Sequence, residues 1–287
     1  MPPVWQADND CPPGALFGTG SFRCIPEDGK GRSLTMIDDI SIRYEDTFTD
    51  KNLTNPVLIG GLPGIGQVGK LVAEYMIHVL GAEKIGEIHS IYLPPQVIIE
   101  ETGVARLPRN EIYLYRTEDR QVVFLVGDFQ STSNEGHYLM ADAYLDIAVE
   151  LGVKRIYTLG GFGVGHLVNA PRVLGAANRE DLKAEIEMAG VTFDRDEPGG
   201  GIVGAAGLLL GMGGLRGIDA VCLMGETSGY VVDPMSAASV LSALSKLIAV
   251  PVDPTQLNDR AAEMEKVVQG LLESEKMQRD EELSYIG

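Results

Sequence analysis

The sequence predicts an α/β fold in which a mostly parallel sheet carries helices on both faces. Three observations lead there. Short, largely apolar runs such as Val57 to Ile59, Val122 to Val126, Arg155 to Leu159 and Ala220 to Met224 have the length of strands and no consistently polar face, as expected of strands covered on both sides. Between them lie longer stretches with apolar residues at three- and four-residue spacing, the period of a helix. The runs also end at Gly60, Asp128, Gly160 and Gly225. In a parallel sheet those ends gather along one carboxyl edge, where open α/β sheets place their ligand crevice.

Taken in order, residues 1–35 carry Pro2, Pro3, Pro12, Pro13 and five glycines without apolar periodicity. They are expected to be a disordered or loosely attached extension, with Met36 as the natural start. Residues 36–251 then form the α/β core and 252–287 a C-terminal helix and tail. Within the core, Val57, Leu58 and Ile59 give a buried strand. A glycine-rich turn follows, and Val68, Leu71, Val72, Tyr75, Met76, Val79 and Leu80 mark a helix capped by Gly81.

Ile85 to Leu93 reads as a strand, and the excursion from Leu93 to Arg120 suggests an inserted hairpin that includes Glu111 to Arg116 as a half-exposed strand. The helix Glu135 to Leu151 closes at Gly152. Pro171 to Ala176 reads as a short edge strand and Arg179 to Ala189 as a helix. Further helices are expected at Ile202 to Met212 and Ser236 to Ile248. In the last segment, Leu257, Ala261, Met264, Val268 and Leu271 step by four and three, so a helix is expected over Gln256 to Glu282, with an apolar seam that dissolves into a charged run.

A chain of 287 residues with 45% hydrophobic content can bury a large core. Its net charge of −18 argues against nucleic acid, whose phosphates require clustered Lys and Arg, and against anionic membrane surfaces. The apolar stretches near 202–212 and 240–250 are too short and too interrupted to span a bilayer. Three widely spaced cysteines, Cys11, Cys24 and Cys222, form neither a disulfide framework nor a zinc pattern, and a reducing, cytoplasmic compartment is the expectation.

The turn after the first core strand matches two nucleotide-binding patterns. Gly64 to Gly69 fits G-x-G-x-x-G, and Gly64 to Lys70 fits the first seven positions of a P-loop. The eighth position is Leu71, with no hydroxyl for a metal ion, and no acid stands at the end of the next strand to hold a ribose. Two readings stay open: glycines that let a tight turn deliver a helix against the sheet, or a small-anion site at the helix N-terminus.

The four histidines have no metal-ligating spacing. His78 is expected to be a packing residue, while His137 and His166 could line the crevice. No Ser or Cys sits in a nucleophile-elbow context. Gly64, Gly66, Gln67, Asp128, Gln130 and Glu226 are the candidate anion or ligand crevice. No catalytic residue, metal set or cofactor is assigned, and strand-end acids also serve simply as caps.

The run NPVLIGGLPGIGQVGKLVAEYMIHVLGAEKIGEI, followed by VVFLVGDFQ, RIYTLGGFGVG and CLMGETSGY, resembles the archaeal branch of the proteasome assembly chaperone family, relatives of the second eukaryotic assembly chaperone. The resemblance spans about Met36 to Pro251. It implies a phosphorylase-like three-layer α/β/α fold, a homo-oligomer, and binding to proteasome α subunits in place of catalysis.

Relatives of this kind dock a C-terminal hydrophobic-tyrosine-any motif, tyrosine penultimate, into a lysine-lined pocket between α subunits. Here Tyr285 is third from the end, one residue out of register. Carried over, Tyr285 supplies the ring, Leu283 or Ile286 the apolar contact and Gly287 the carboxylate. From Lys276 the tail could reach on the order of 40 Å if extended. The rival reading is a nucleotide- or nucleoside-binding enzyme, ATP-grasp/ligase-like or phosphorylase-like, working at the strand-end crevice.

Overall fold

A computed structural model describes residues 39–193, 201–259, 262 and 263. In chain order the elements are β1 (Ile40–Tyr44), β2 (Val57–Gly61), α1 (Val68–Leu80), β3 (Glu83–Ser90), β4 (Ile98–Ile99), β5 (Ala105–Arg106), β6 (Asn110–Arg116), β7 (Gln121–Gly127), α2 (Asn134–Glu150), β8 (Arg155–Gly163), β9 (Val173–Ala177), α3 (Lys183–Glu187), β10 (Val191–Thr192), α4 (Ala205–Leu215), β11 (Asp219–Thr227) and α5 (Pro234–Ile248). One nine-stranded sheet has the order β1-β3-β6-β7-β2-β8-β11-β9-β10.

Its centre, β7-β2-β8-β11, is parallel throughout. One flank, β1-β3-β6-β7, is antiparallel. On the other side β9 runs antiparallel to β11 and parallel to β10. The sheet is thus parallel where it is covered on both faces, and mixed towards its edges.

Alternation of side chains along the central strands sorts the core into two halves. Ile59, Phe124, Tyr157 and Leu223 face one way and pack with Val68, Val72 and Met76 of α1 and Val240, Leu241 and Leu244 of α5. Leu58, Val123, Leu125 and Ile156 face the other way, against Met140, Tyr144 and Leu145 of α2 and Leu209 of α4. Helices therefore cover both faces, the three-layer α/β/α arrangement that the sequence predicts.

Several elements differ from expectation. Between β3 and β6 the chain forms a separate two-stranded ribbon, β4 with β5. Strand β9 is not the outermost, because the two-residue β10 pairs beyond it. The helix expected over Arg179 to Ala189 is a single 3-10 turn, Glu180–Leu182, followed by the five-residue α3. β1 carries Ile40, Ile42 and Tyr44 to the α2 side of the core, a strand that its half-exposed pattern concealed.

His78 is exposed in the last turn of α1 and not packed; a basic side chain there suits the negative end of the helix dipole. In the C-terminal segment, residues 255–259 are helical and Leu257 is buried with the α1–α5 core. The rest of the seam, residues 1–35, and Leu283, Tyr285, Ile286 and Gly287 lie outside the described residues.

Candidate functional site

The turn from β2 into α1 is built for close approach. Gly66 (φ 62°) and Gln67 (φ 54°) both take left-handed backbone conformations, and a side chain on Gly66 would meet Thr227 Oγ1 at 2.8 Å. In the first turn of α1, a Cβ on Gly69 would stand 2.3 Å from the Leu159 carbonyl oxygen; one on Gly161 would stand 2.3 Å from the carbonyl oxygen of Ile65. These glycines bring turn and helix directly onto the ends of β8 and β11. Lys70, at the position of a P-loop lysine, donates from Nζ to the Gly127 carbonyl at 3.0 Å and pairs with Glu74 at 3.4 Å. The Gln67 Oε1 is buried without a hydrogen-bond partner.

The two strand-end acids are each gripped by an arginine. Asp128 follows β7 and accepts Nη1 and Nη2 of Arg106 at 2.6 and 3.0 Å, together with the Arg109 amide at 2.9 Å. Burial alone would raise its carboxyl, but these donors outweigh burial and hold it below the usual carboxylate range. Glu226, near the end of β11 and 6% exposed, accepts the Arg172 amide and Nε at 2.9 Å each, and Arg172 Nη2 as well. The Arg172 guanidinium beside it lowers its carboxyl despite burial. Asp128 thus meets a bidentate guanidinium fork, while at Glu226 two guanidinium nitrogens converge on Oε1 and the Arg172 amide takes Oε2; both are charge-assisted arrangements.

Gly64 and Gln130 do reach a common space, a cavity of about 640 Å³ between the carboxyl ends of β2, β8 and β11 and the first turn of α4. Neither Asp128 nor Glu226 lines it, nor do Gly66 and Gln67. Its floor is one row across three neighbouring strands, since Gly60 is in register with Thr158 and Thr158 with Cys222. Gln130 closes one side: its Nε2 donates to the Pro63 carbonyl at 2.6 Å and its Oε1 accepts the Ala205 amide at 2.9 Å. One side chain thereby caps α4 and ties it to the glycine turn. His137 from α2 reaches the wall. His166 does not; it lies exposed, its Nδ1 3.0 Å from the Val164 carbonyl.

Thr158 and Cys222 were not among the residues that the sequence marked as a site. Thr158 is 1% exposed and its Oγ1 has no hydrogen-bond partner of good geometry. The neighbouring Cys222 is a free, buried thiol that burial pushes up to about 11, against a smaller lowering from Thr158. Among the described residues no Asp, Glu, Lys or Arg lines the cavity. The described part of the chamber therefore offers mainly apolar surface, a few polar groups and His137, with no Lys or Arg to meet a phosphate. Among the described residues no group of three His, Cys, Asp or Glu side chains could hold a metal ion, and no helix is long and apolar enough to cross a membrane.

Comparison with known proteins gives a consistent result. Residues 58–272 match the model of the PAC2 family. MJ1210 of Methanocaldococcus jannaschii, an uncharacterized protein, is 38% identical over 244 residues, which cover 82% of this chain and 93% of that relative. The crystal structure of Pyrococcus furiosus PbaB, an archaeal proteasome activator, is 38% identical with a TM-score of 0.77, covering 81% of this chain and 98% of PbaB. Pyrococcus furiosus PbaA, an archaeal homolog of proteasome-assembly chaperone, superposes with a TM-score of 0.68 at 24% identity over 86% of this chain and 98% of PbaA, a likeness of fold alone. A match over most of the core and a relative of 38% identity along nearly its whole length agree: this chain belongs to the PAC2 family.

Proposed function

We propose that this protein is a non-enzymatic proteasome assembly chaperone-like factor that binds proteasome α subunits through its C-terminal tail, with Leu283, Tyr285, Ile286 and the Gly287 carboxylate as the docking residues. The observation that carries this reading is the 38% identity to a proteasome activator across 98% of that protein. Two features of the rim support the non-enzymatic part. Its acids Asp128 and Glu226 are engaged by Arg106 and Arg172, and Lys70 by the Gly127 carbonyl, so none of these three stands free as an acid or base.

Self-association belongs to the same reading. Ile91, Val97, Ile99, Val104 and Leu107, all more than half exposed, concentrate in the excursion between β3 and β6, and exposed apolar side chains grouped in this way mark association surfaces. Several tails on one oligomer add avidity to individually weak contacts. The charged run before the tail is steered by basic partner surface.

Deletion of Ser284 to Gly287 tests it. The truncated protein is expected to lose binding to isolated α rings in a pull-down while keeping its oligomeric mass by light scattering. Binding equal to that of the full chain would refute the tail's role, and turnover of a small metabolite by the purified protein would refute the non-enzymatic one.

A further inference from the structure

The cavity under α4 serves none of the roles proposed above, and its construction asks for an occupant. Its floor glycines differ from those of the turn. A Cβ on Gly60 would come no closer than 3.6 Å to Leu209 Cδ1, and one on Gly160 no closer than 3.9 Å to Met224 Cγ. Both are ordinary contacts, and neither glycine has a positive φ. Nothing in the backbone demands glycine at either place, and a larger residue would fill the space.

The space is a partly open cleft, so its apolar lining is left to solvent or to a ligand. At 640 Å³ the chamber falls within the range of small-molecule sites. Thr158 adds a second, independent sign. Its hydroxyl is buried at the floor with only the weak Cys222 thiol beside it and no hydrogen bond of good geometry, whereas buried polar groups are normally hydrogen-bonded.

We infer that this cavity binds an uncharged, mainly apolar small molecule whose one hydrogen-bonding group meets Thr158 Oγ1. Charge decides the class. Among the described residues no Lys or Arg stands in the wall, where His137 is the basic side chain, and the chain carries a net charge of −18, so an anion such as a nucleotide meets little compensating charge and an unfavourable field. A neutral ring system with one carbonyl or hydroxyl fits the sheet-floored, glycine-widened space.

The neutral naphthalene dye Prodan, which carries a single ketone oxygen, is a suitable probe of the full-length protein. Its emission should shift to the blue and saturate. Gly160→Leu, which occupies the floor, should abolish saturable binding. Thr158→Val, which keeps shape but removes the hydroxyl, should weaken it about tenfold, equivalent to about 1.4 kcal/mol. Millimolar ADP should not displace the dye, and the variant lacking Ser284 to Gly287 should bind it unchanged, which separates this site from the tail.

Absence of saturable binding overturns the inference. So does equal affinity in the parent and Gly160→Leu, the result expected of dye on exposed apolar surface, or displacement by ADP. Should Gly160→Leu fail to fold, equal affinity in the parent and Thr158→Val overturns it.

Discussion

Two groups of glycines lie close together at the carboxyl edge of the sheet and act in opposite senses. At the head of α1, Gly69, like Gly161 on β8, lets backbone touch backbone, with a would-be Cβ only 2.3 Å from a carbonyl oxygen. On the floor under α4, Gly60 and Gly160 touch nothing closely and leave volume. The first group closes a gap and the second opens one. A glycine-rich strand end is therefore ambiguous until its neighbours are known: of the glycines that match the phosphate-binding patterns, Gly66 and Gly69 close a gap, whereas a side chain on Gly64 would meet nothing.

The contrast is testable at single residues. Gly69→Ala gives the largest expected effect, a loss of about 3 kcal/mol in urea unfolding from overpacking against Leu159. That loss would appear although alanine improves helix propensity by about 1 kcal/mol, so the sign alone is diagnostic.

Glu226→Gln comes next. It removes a carboxylate that Arg172 and its amide hold and should cost about 2 kcal/mol, while leaving Prodan binding intact because Glu226 does not line the cavity. The same logic gives a pH dependence. Burial would raise Glu87, but hydrogen bonds from His89 and Lys84 and the charges of Lys84 and Arg109 pull it down to about 2. A depressed carboxyl contributes stability that is complete above its unfolded value of about 4.3 and is lost as pH falls towards the folded one. Urea midpoints should therefore hold steady from neutrality to about pH 5 and then fall between about pH 4 and pH 2.

Gly160→Ala should do least, shifting stability by under about 0.5 kcal/mol, since its new methyl enters open space. Equal tolerance of Gly69→Ala and Gly160→Ala would erase the distinction between the two groups.

The layered fold was legible because Leu58 and Ile59, or Val123 and Phe124, are apolar on successive residues, which only a strand covered on both faces requires. Gly81 marked the end of α1 and does cap it, at φ 64°. β1 escaped notice because its alternate side chains face solvent near a flank, and β10 because two residues carry no period. Of the candidate crevice, Gly64 and Gln130 line the cavity and Gly66, Gln67, Asp128 and Glu226 do not. Asp128 and Glu226 were visible as strand-end acids, but Arg106 and Arg172, which engage them, come from distant segments and share no local pattern with them. The floor row of Gly60, Thr158 and Cys222 depends on inter-strand register, which a single sequence does not encode locally. The one available hint was glycine recurring at the ends of β2 and β8.

The mainly apolar lining of the chamber bears on how the molecule responds to its medium. Contacts between the acidic C-terminal run and a basic surface weaken as salt is added, because the Debye length shrinks from about 10 Å at 0.1 M to about 3 Å at 1 M. An uncharged guest held by apolar walls and one hydroxyl feels no such screening. On the two proposals made above, ionic strength would act as a selective dial, loosening the tail's grip on a partner while leaving a guest beneath α4 in place.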